Sequence, residues 1–165
     1  MARMEQLRRT LAALHAWLSR RPELETWSFR NEWPWPVAVA VGLFLFYAWC
    51  SPRTIALEDD GIFVMASYFN GIAHPPGYPV FTLIGHLFSQ LPFGSVAWRV
   101  HLVSALFGGL TCAVIWCIVR NLVPSRAIAT ASALAYGFSE AFWSQAIIAE
   151  VYTLNTFVSF LLLLN

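Results

Sequence analysis

The sequence predicts an all-α protein, a polytopic bundle of transmembrane helices, on two observations. Hydrophobic residues make up 58% of the chain and charged residues 12%, about half the roughly 25% charged share of an ordinary soluble domain, so a bilayer is the natural solvent. The apolar residues also gather into four runs: about Trp33 or Trp35 to Cys50, Val100 to Val119, Ala127 to Phe138 or Phe142, and Ile147 to Leu164. Each is read against the ~20 residues a helix needs to cross hydrocarbon. The net charge of +1 speaks against a nucleic-acid partner.

In chain order, residues 1–32 come first as a basic segment with Arg3, Arg8, Arg9, Arg20, Arg21 and Arg30. Leu7, Leu11, Leu14 and Leu18 recur on one helical face, the pattern of an amphipathic helix on an anionic cytoplasmic leaflet. A tail without fixed structure is the competing expectation. The basic region is too long for a cleavable signal, and Ser51-Pro52 is a poor cleavage site, so the first span reads as a signal anchor. Pro34 and Pro36 suit its first turn, and Trp33, Trp35 and Trp49 suit the interfaces.

Residues 33–165 then form the membrane domain. Arg120 and Arg126 bracket the turn between the second and third spans, which with the N-terminal arginines places that turn and the N-terminus in the cytoplasm. The loops at 51–99 and 139–150 therefore face outward and hold Glu58, Asp59, Asp60, Glu140 and Glu150 against Arg53 and Arg99. Cys50, Cys112 and Cys117 show neither a disulfide framework nor a metal spacing and read as packing residues. The chain stops inside the fourth run, so it is expected to be the N-terminal part of a longer protein.

The stretch from Leu57 to Pro79 is the most informative. Carboxylates beside a membrane cost desolvation energy, which makes Asp59 and Asp60 functional candidates. Either can instead cap a short helix from Gly61 to about Asn70, although capping accounts for one of the three adjacent acidic residues only. Further on, Pro76-Gly77 fits the centre of a type II turn. Pro79 can start a helix from Val80 to Gln90, with Val80, Phe81, Leu83, Ile84, Leu87, Phe88 and Leu91 on one face and Thr82, Gly85, His86, Ser89 and Gln90 on the other. An interfacial helix, a buried one and a re-entrant piece all fit that pattern. His74 is either a ligand or proton shuttle, or a turn residue bonded locally.

The blocks GIAHPPGYP, LPFGSVAWRVHLVSALFG and FWSQAIIAEVYTLN, in that order, resemble the signature blocks of the transmembrane-protein-260 family, long classed as a domain of unknown function. The resemblance covers roughly residues 35–165. It implies membership of the GT-C superfamily, multi-pass glycosyltransferases that use a polyprenyl-phosphate-linked sugar at the outer or lumenal face, one branch of which carries out protein O-mannosylation. The family's Asp-Ser-Gly-Glu-Phe block corresponds to Asp59-Asp60-Gly61-Ile62-Phe63, so Asp59 inherits the catalytic candidacy. Asp60 stands in place of Ser and Ile62 in place of Glu, and Asp60 is the residue that would supply the lost carboxylate. His74, Pro75, Pro76, Gly77, Tyr78 and Glu150 match without a break.

The function expected on this basis is transfer of a sugar, with mannose the leading choice, from a polyprenyl-phosphate donor to a hydroxyl acceptor on protein or glycan. Such a reaction needs a base for the hydroxyl proton and a group to stabilise the departing phosphate. Asp59 is the expected base and Asp60 the alternative. His74, Pro76, Gly77, Tyr78, Arg99 and Glu150 are the expected substrate-binding set, with Arg99 or Arg53 offsetting phosphate charge; an interfacial anchor is the plainer role for either arginine. Glu150 follows Trp143 by seven residues and is expected on the same helical face near the outer end of a span, where helix packing is its competing role. No cofactor is expected. A divalent cation on Asp59, Asp60 and His74 is the weaker alternative, because no spacing here marks a dedicated site.

A transport or assembly subunit with an outward acidic site is the competing functional class. His101 and two cysteines are the only ionisable groups of the second span, which disfavours an ion pathway. No H-E-x-x-H or G-x-S-x-G pattern supports a protease. The 165-residue chain alone is expected to be inactive. The expected location is a bacterial inner membrane, or the endoplasmic reticulum in a eukaryote.

Overall fold

The longest apolar run forms the longest helix, and the other elements pack around it. In the computed structural model, which describes residue 5 and residues 29–56 and 59–164, every regular element among the described residues is helical. The leucine face expected from Leu7 to Leu18, and Glu58 of the acidic run, lie outside the described residues. In order the helices are α1 (Phe29–Glu32), α2 (Pro34–Cys50), α3 (Asp60–Tyr68), α4 (Pro79–Ser89), α5 (Val96–Leu122), α6 (Arg126–Gly137), α7 (Glu140–Ala146) and α8 (Tyr152–Leu164).

Helix α5 starts where Ser95 accepts the Trp98 N–H, which satisfies one of the first-turn donors that a helix otherwise leaves free. Its 27 residues make it, among those described, the one helix long and apolar enough to cross a membrane. Two cores meet on it. Toward its C-terminal half, Cys112 and Trp116 pack with Leu43 and Tyr47 of α2 and Ala133 of α6. Toward its N-terminal half, Val100 and Val103 pack with Phe63 of α3, Phe81 of α4 and Ala149. Helix α2 comes close enough to α5 that a Cβ on Gly109 would stand 2.5 Å from the Ala40 carbonyl, the close backbone approach that small residues permit in membrane bundles. The opposite face of α2 exposes Val41, Leu45 and Trp49, so the helix is apolar all round.

Of the four expected crossings, helix length and composition support one among the described residues, α5. Helices α2 and α4 are apolar and have 17 and 11 residues, and α8 is apolar over its 13 described residues, Tyr152–Leu164. The expected third run ends at Gly137 after 12 residues, because the chain turns there. The Tyr47 hydroxyl donates to the Gly137 carbonyl at 2.8 Å and so satisfies one of the terminal carbonyls of α6, while a new helix, α7, begins after Ser139. The fourth run starts at Tyr152 rather than Ile147.

Helix α4 is turned over relative to its pattern. Phe81, Thr82, Gly85 and Ser89 are buried, whereas Val80, Leu83 and Leu87 are exposed. The physical reason is close packing on α3: a Cβ at Gly85 would lie 2.2 Å from Ser67 Oγ, so at that position only glycine fits, and His86 Nδ1 donates to the Ser67 carbonyl at 2.9 Å. The turn before α4 also falls one residue earlier than expected. The Gly77 N–H donates to the His74 carbonyl at 2.8 Å across a cis Pro75–Pro76 bond, so Pro75 and Pro76 are the central pair.

At the far end of the bundle, Glu32 receives two hydrogen bonds from Arg120, at 2.9 and 3.0 Å, and one from Arg126 at 3.1 Å. This joins the approach to α2 to the α5–α6 turn. The arginine turn and the N-terminal approach thus lie at one end of α5, and Asp59, Asp60 and Glu150 belong to the other.

Candidate active site

Asp59 and Asp60 open α3, and the helix sends them in different directions. Asp60 is wholly buried. Its Oδ1 accepts from His101 Nε2 at 2.8 Å and from the Ala149 N–H at 2.7 Å, and its Oδ2 accepts from the Ala56 N–H at 2.6 Å. Burial by itself raises the Asp60 pKa, yet the hydrogen bonds from His101, Ala56 and Ala149 outweigh it and hold the carboxyl below its ordinary range.

Asp59 occupies the N-cap position without a side-chain capping bond, contrary to the capping expectation. Its side chain is 52% exposed and its Oδ2 lies 3.5 Å from His74 Nε2. Burial therefore separates the two aspartates, and Asp59 is the one open to a ligand. The expectation that Asp60 makes up for the carboxylate missing at Ile62 meets the difficulty that Asp60 points inward while Ile62 is exposed. The two aspartates and His74 do not converge, and no group of three or more His, Cys, Asp or Glu side chains among the described residues could hold a metal ion.

His74 is oriented by rings. Its imidazole meets Phe63 and Tyr78 edge-on with centroids 5.6 Å away in each case, and Phe63 meets Phe81 edge-on at 5.4 Å. Tyr78 adopts a left-handed φ of 44°, uncommon for a residue with a Cβ. From there Tyr78 reaches both His74 and an apolar groove of about 490 Å³ between the start of α4 and α8, whose lining includes Val80, Val151, Asn155 and Val158. Pro76 is exposed and Gly77 buried, with φ +93° at Gly77, so this pair shapes the loop more than it offers contact groups.

The arginines divide as well. Arg99 is half-buried and donates through Nη1 to the Leu91 carbonyl, tying α5 to the end of the α4 segment. Arg53 is exposed, and its guanidinium lies 4.1 Å over the Trp98 ring, an arrangement that fixes a cation while leaving its edge accessible.

Glu150 is buried at 4% exposure. The i+7 placement with Trp143 does not hold, since the helix is interrupted between Ala146 and Tyr152. Its backbone is held instead by Ser104, whose hydroxyl donates to the Glu150 carbonyl at 3.0 Å and accepts the Glu150 N–H at 3.1 Å. Sequence reasoning missed His101 as a partner of Asp60. A histidine in an apolar run is the visible signal, but its partner lies 41 residues away, beyond any local spacing rule.

The model of a family described as protein O-mannosyl-transferase TMEM260 N-terminal domain matches residues 59–165, beginning at the exposed aspartate. The chain belongs to this family. Among relatives, it is 39% identical over 131 residues to the Mus musculus protein O-mannosyl-transferase TMEM260, a match covering 78% of this chain and 19% of the mouse protein. It is 30% identical over 133 residues to the Dictyostelium discoideum protein of the same name, covering 78% of this chain and 16% of that protein. The chain thus spans less than a fifth of the length of these TMEM260 relatives. No solved structure matches. The TMEM260 match includes Asp59, Asp60, His74, Arg99, His101 and Glu150 and excludes Arg53.

Proposed function

We propose that this chain is the donor-facing N-terminal part of a membrane O-mannosyl-transferase, moving mannose from a polyprenyl-phosphate donor to a Ser or Thr hydroxyl of a protein at the outer face. The observation that carries this reading is Asp59: an exposed carboxylate, uncommitted to capping, beside a ring-oriented histidine that Tyr78 links to an apolar groove. Membership of the TMEM260 family and the names of two relatives support the choice of sugar and acceptor.

In the proposed step Asp59 takes the proton of the acceptor hydroxyl as its oxygen bonds to the anomeric carbon. The bond from that carbon to the phosphate oxygen breaks, and the lipid phosphate leaves with the electron pair. Arg53, braced on Trp98, is assigned to the charge that develops on the leaving phosphate. Arg99 is assigned to holding the loop, and the Tyr78 groove to the apolar part of the donor. Helices α2 and α5 are taken as membrane crossings, with α8 contributing to a further one and Arg120 and Arg126 on the cytoplasmic side. The outer face is then the periplasmic side of a bacterial inner membrane, or the lumenal side of the endoplasmic reticulum.

The test is mannose transfer from labelled polyprenyl-phosphate mannose by membranes containing the full-length protein, wild type against Asp59→Asn at matched expression. Loss of about 10²-fold or more is expected for removal of the base. Equal transfer by both proteins would overturn the assignment of Asp59, and absence of transfer by the wild type would overturn the activity.

A further inference from the structure

We propose that His101 and Asp60 form a positioning pair that fixes where Asp59 stands and couples it to the Ala149–Glu150 segment; the proposal rests on the transferase reading above. His101 is wholly buried on α5, and both of its ring nitrogens face acceptors. Nδ1 lies 3.1 Å from the Pro52 carbonyl and Nε2 lies 2.8 Å from Asp60 Oδ1. The carbonyl has no proton to give, so Nδ1 donates. Asp60 Oδ1 also accepts the Ala149 N–H and Oδ2 the Ala56 N–H, so the ring is held at both nitrogens and the carboxyl group at three points.

A buried His–Asp pair is a poor way to gain stability, because a well-packed apolar pair of the same volume often serves as well. What this pair adds is direction. Asp60 is the first residue of α3, and its two oxygens reach three other segments: the loop after α2 through Ala56, helix α5 through His101, and the segment before α8 through Ala149. Asp59, the preceding residue, has no capping bond of its own, so its placement follows that of Asp60. Three residues along α5, on the same face, Ser104 clasps the backbone of Glu150. Through His101 and Ser104, one rigid helix therefore sets the distance between the Asp59 wall and the Glu150 wall.

The test compares His101→Gln with His101→Asn in the full-length protein. Glutamine can present an amide N–H near the Nε2 position, toward Asp60, and asparagine near the Nδ1 position, toward Pro52. The glutamine variant is expected to keep kcat within about threefold of wild type. The asparagine variant is expected to lose on the order of tenfold to a hundredfold in kcat with donor KM nearly unchanged, the signature of a displaced reacting group. Hydrogen exchange supplies a readout that needs no turnover. The Ala56 and Ala149 amides should lose protection together in the asparagine variant and keep it in the glutamine variant. Equal behaviour of the two variants, loss of protection at one segment alone, or failure of both to fold would overturn the proposal. A wild-type protein without transfer overturns the activity instead, and the exchange comparison still decides the coupling.

Discussion

Asp59 and Asp60 are sequence neighbours with opposite fates: Asp60 is sealed 2.8 Å from His101, while Asp59 stands open 3.5 Å from His74. Their amide variants are therefore expected to fail in different ways. Asp59→Asn should leave unfolding of the full-length protein within about 0.5 kcal/mol of wild type, since it removes a surface carboxylate, while transfer collapses. Asp60→Asn turns an amide toward groups that already donate and breaks a buried pair, so roughly 3–5 kcal/mol of stability should go. Denaturant unfolding of the two variants side by side reads the difference.

Acid provides a second view of Asp60. Its folded-state pKa lies below the ordinary 3.8, with burial opposing the shift and the three hydrogen bonds producing it. A depressed folded value means that its contribution is complete above the unfolded value and lost as pH falls through the folded one. Wild-type stability should fall below about pH 4, and that part of the acid limb should be flatter in Asp60→Asn.

Arg53→Ala and Arg99→Ala separate phosphate binding from loop support. Arg53→Ala should raise the donor KM about tenfold, with little change in melting temperature, as loss of one charge-assisted contact implies. Arg99→Ala should lower the melting temperature and leave the donor KM near wild type, because its guanidinium serves the Leu91 carbonyl.

At the opposite end, Arg120 is 6% exposed and holds Glu32 in a two-bond fork. Arg120→Ala leaves that carboxylate with Arg126 alone, and a loss of about 3–5 kcal/mol in unfolding free energy is expected. The Glu32 carboxyl is held below its ordinary range, chiefly by the Arg120 hydrogen bond and against burial. Its contribution is again full at neutral pH and lost toward acid.

Gly109 and Gly42 offer a paired test of packing between α2 and α5. A methyl at Gly109 would meet the Ala40 carbonyl at 2.5 Å and the Phe44 nitrogen at 3.2 Å, both backbone atoms, whereas one at Gly42 meets nothing within 4 Å. Gly109→Ala should cost roughly 1–3 kcal/mol or more by forcing the helices apart. Gly42→Ala should be neutral or slightly stabilising, because alanine loses less freedom in a helix, and thermal unfolding of the two reads the contrast.

By itself the sequence determined the helical class, the course of α2 and α5, and the candidate site residues, because helix periodicity and apolar length are local properties. It marked Asp59, Asp60 and His74 as the place to look. It did not determine which aspartate faces outward, since neighbouring residues on a helix differ only by what lies across from them, and His101, Ala149 and Ala56 come from three other segments. Nor did it determine which face of α4 is buried. Apolar periodicity assumes that the polar side faces away from the protein, whereas here the close packing of Gly85 against Ser67 decides, and Thr82, Gly85 and Ser89 turn inward together with Phe81. The division of Arg53 from Arg99, the break before Glu150 and the coupling through α5 are likewise relations between distant parts of the chain, which only the tertiary structure sets.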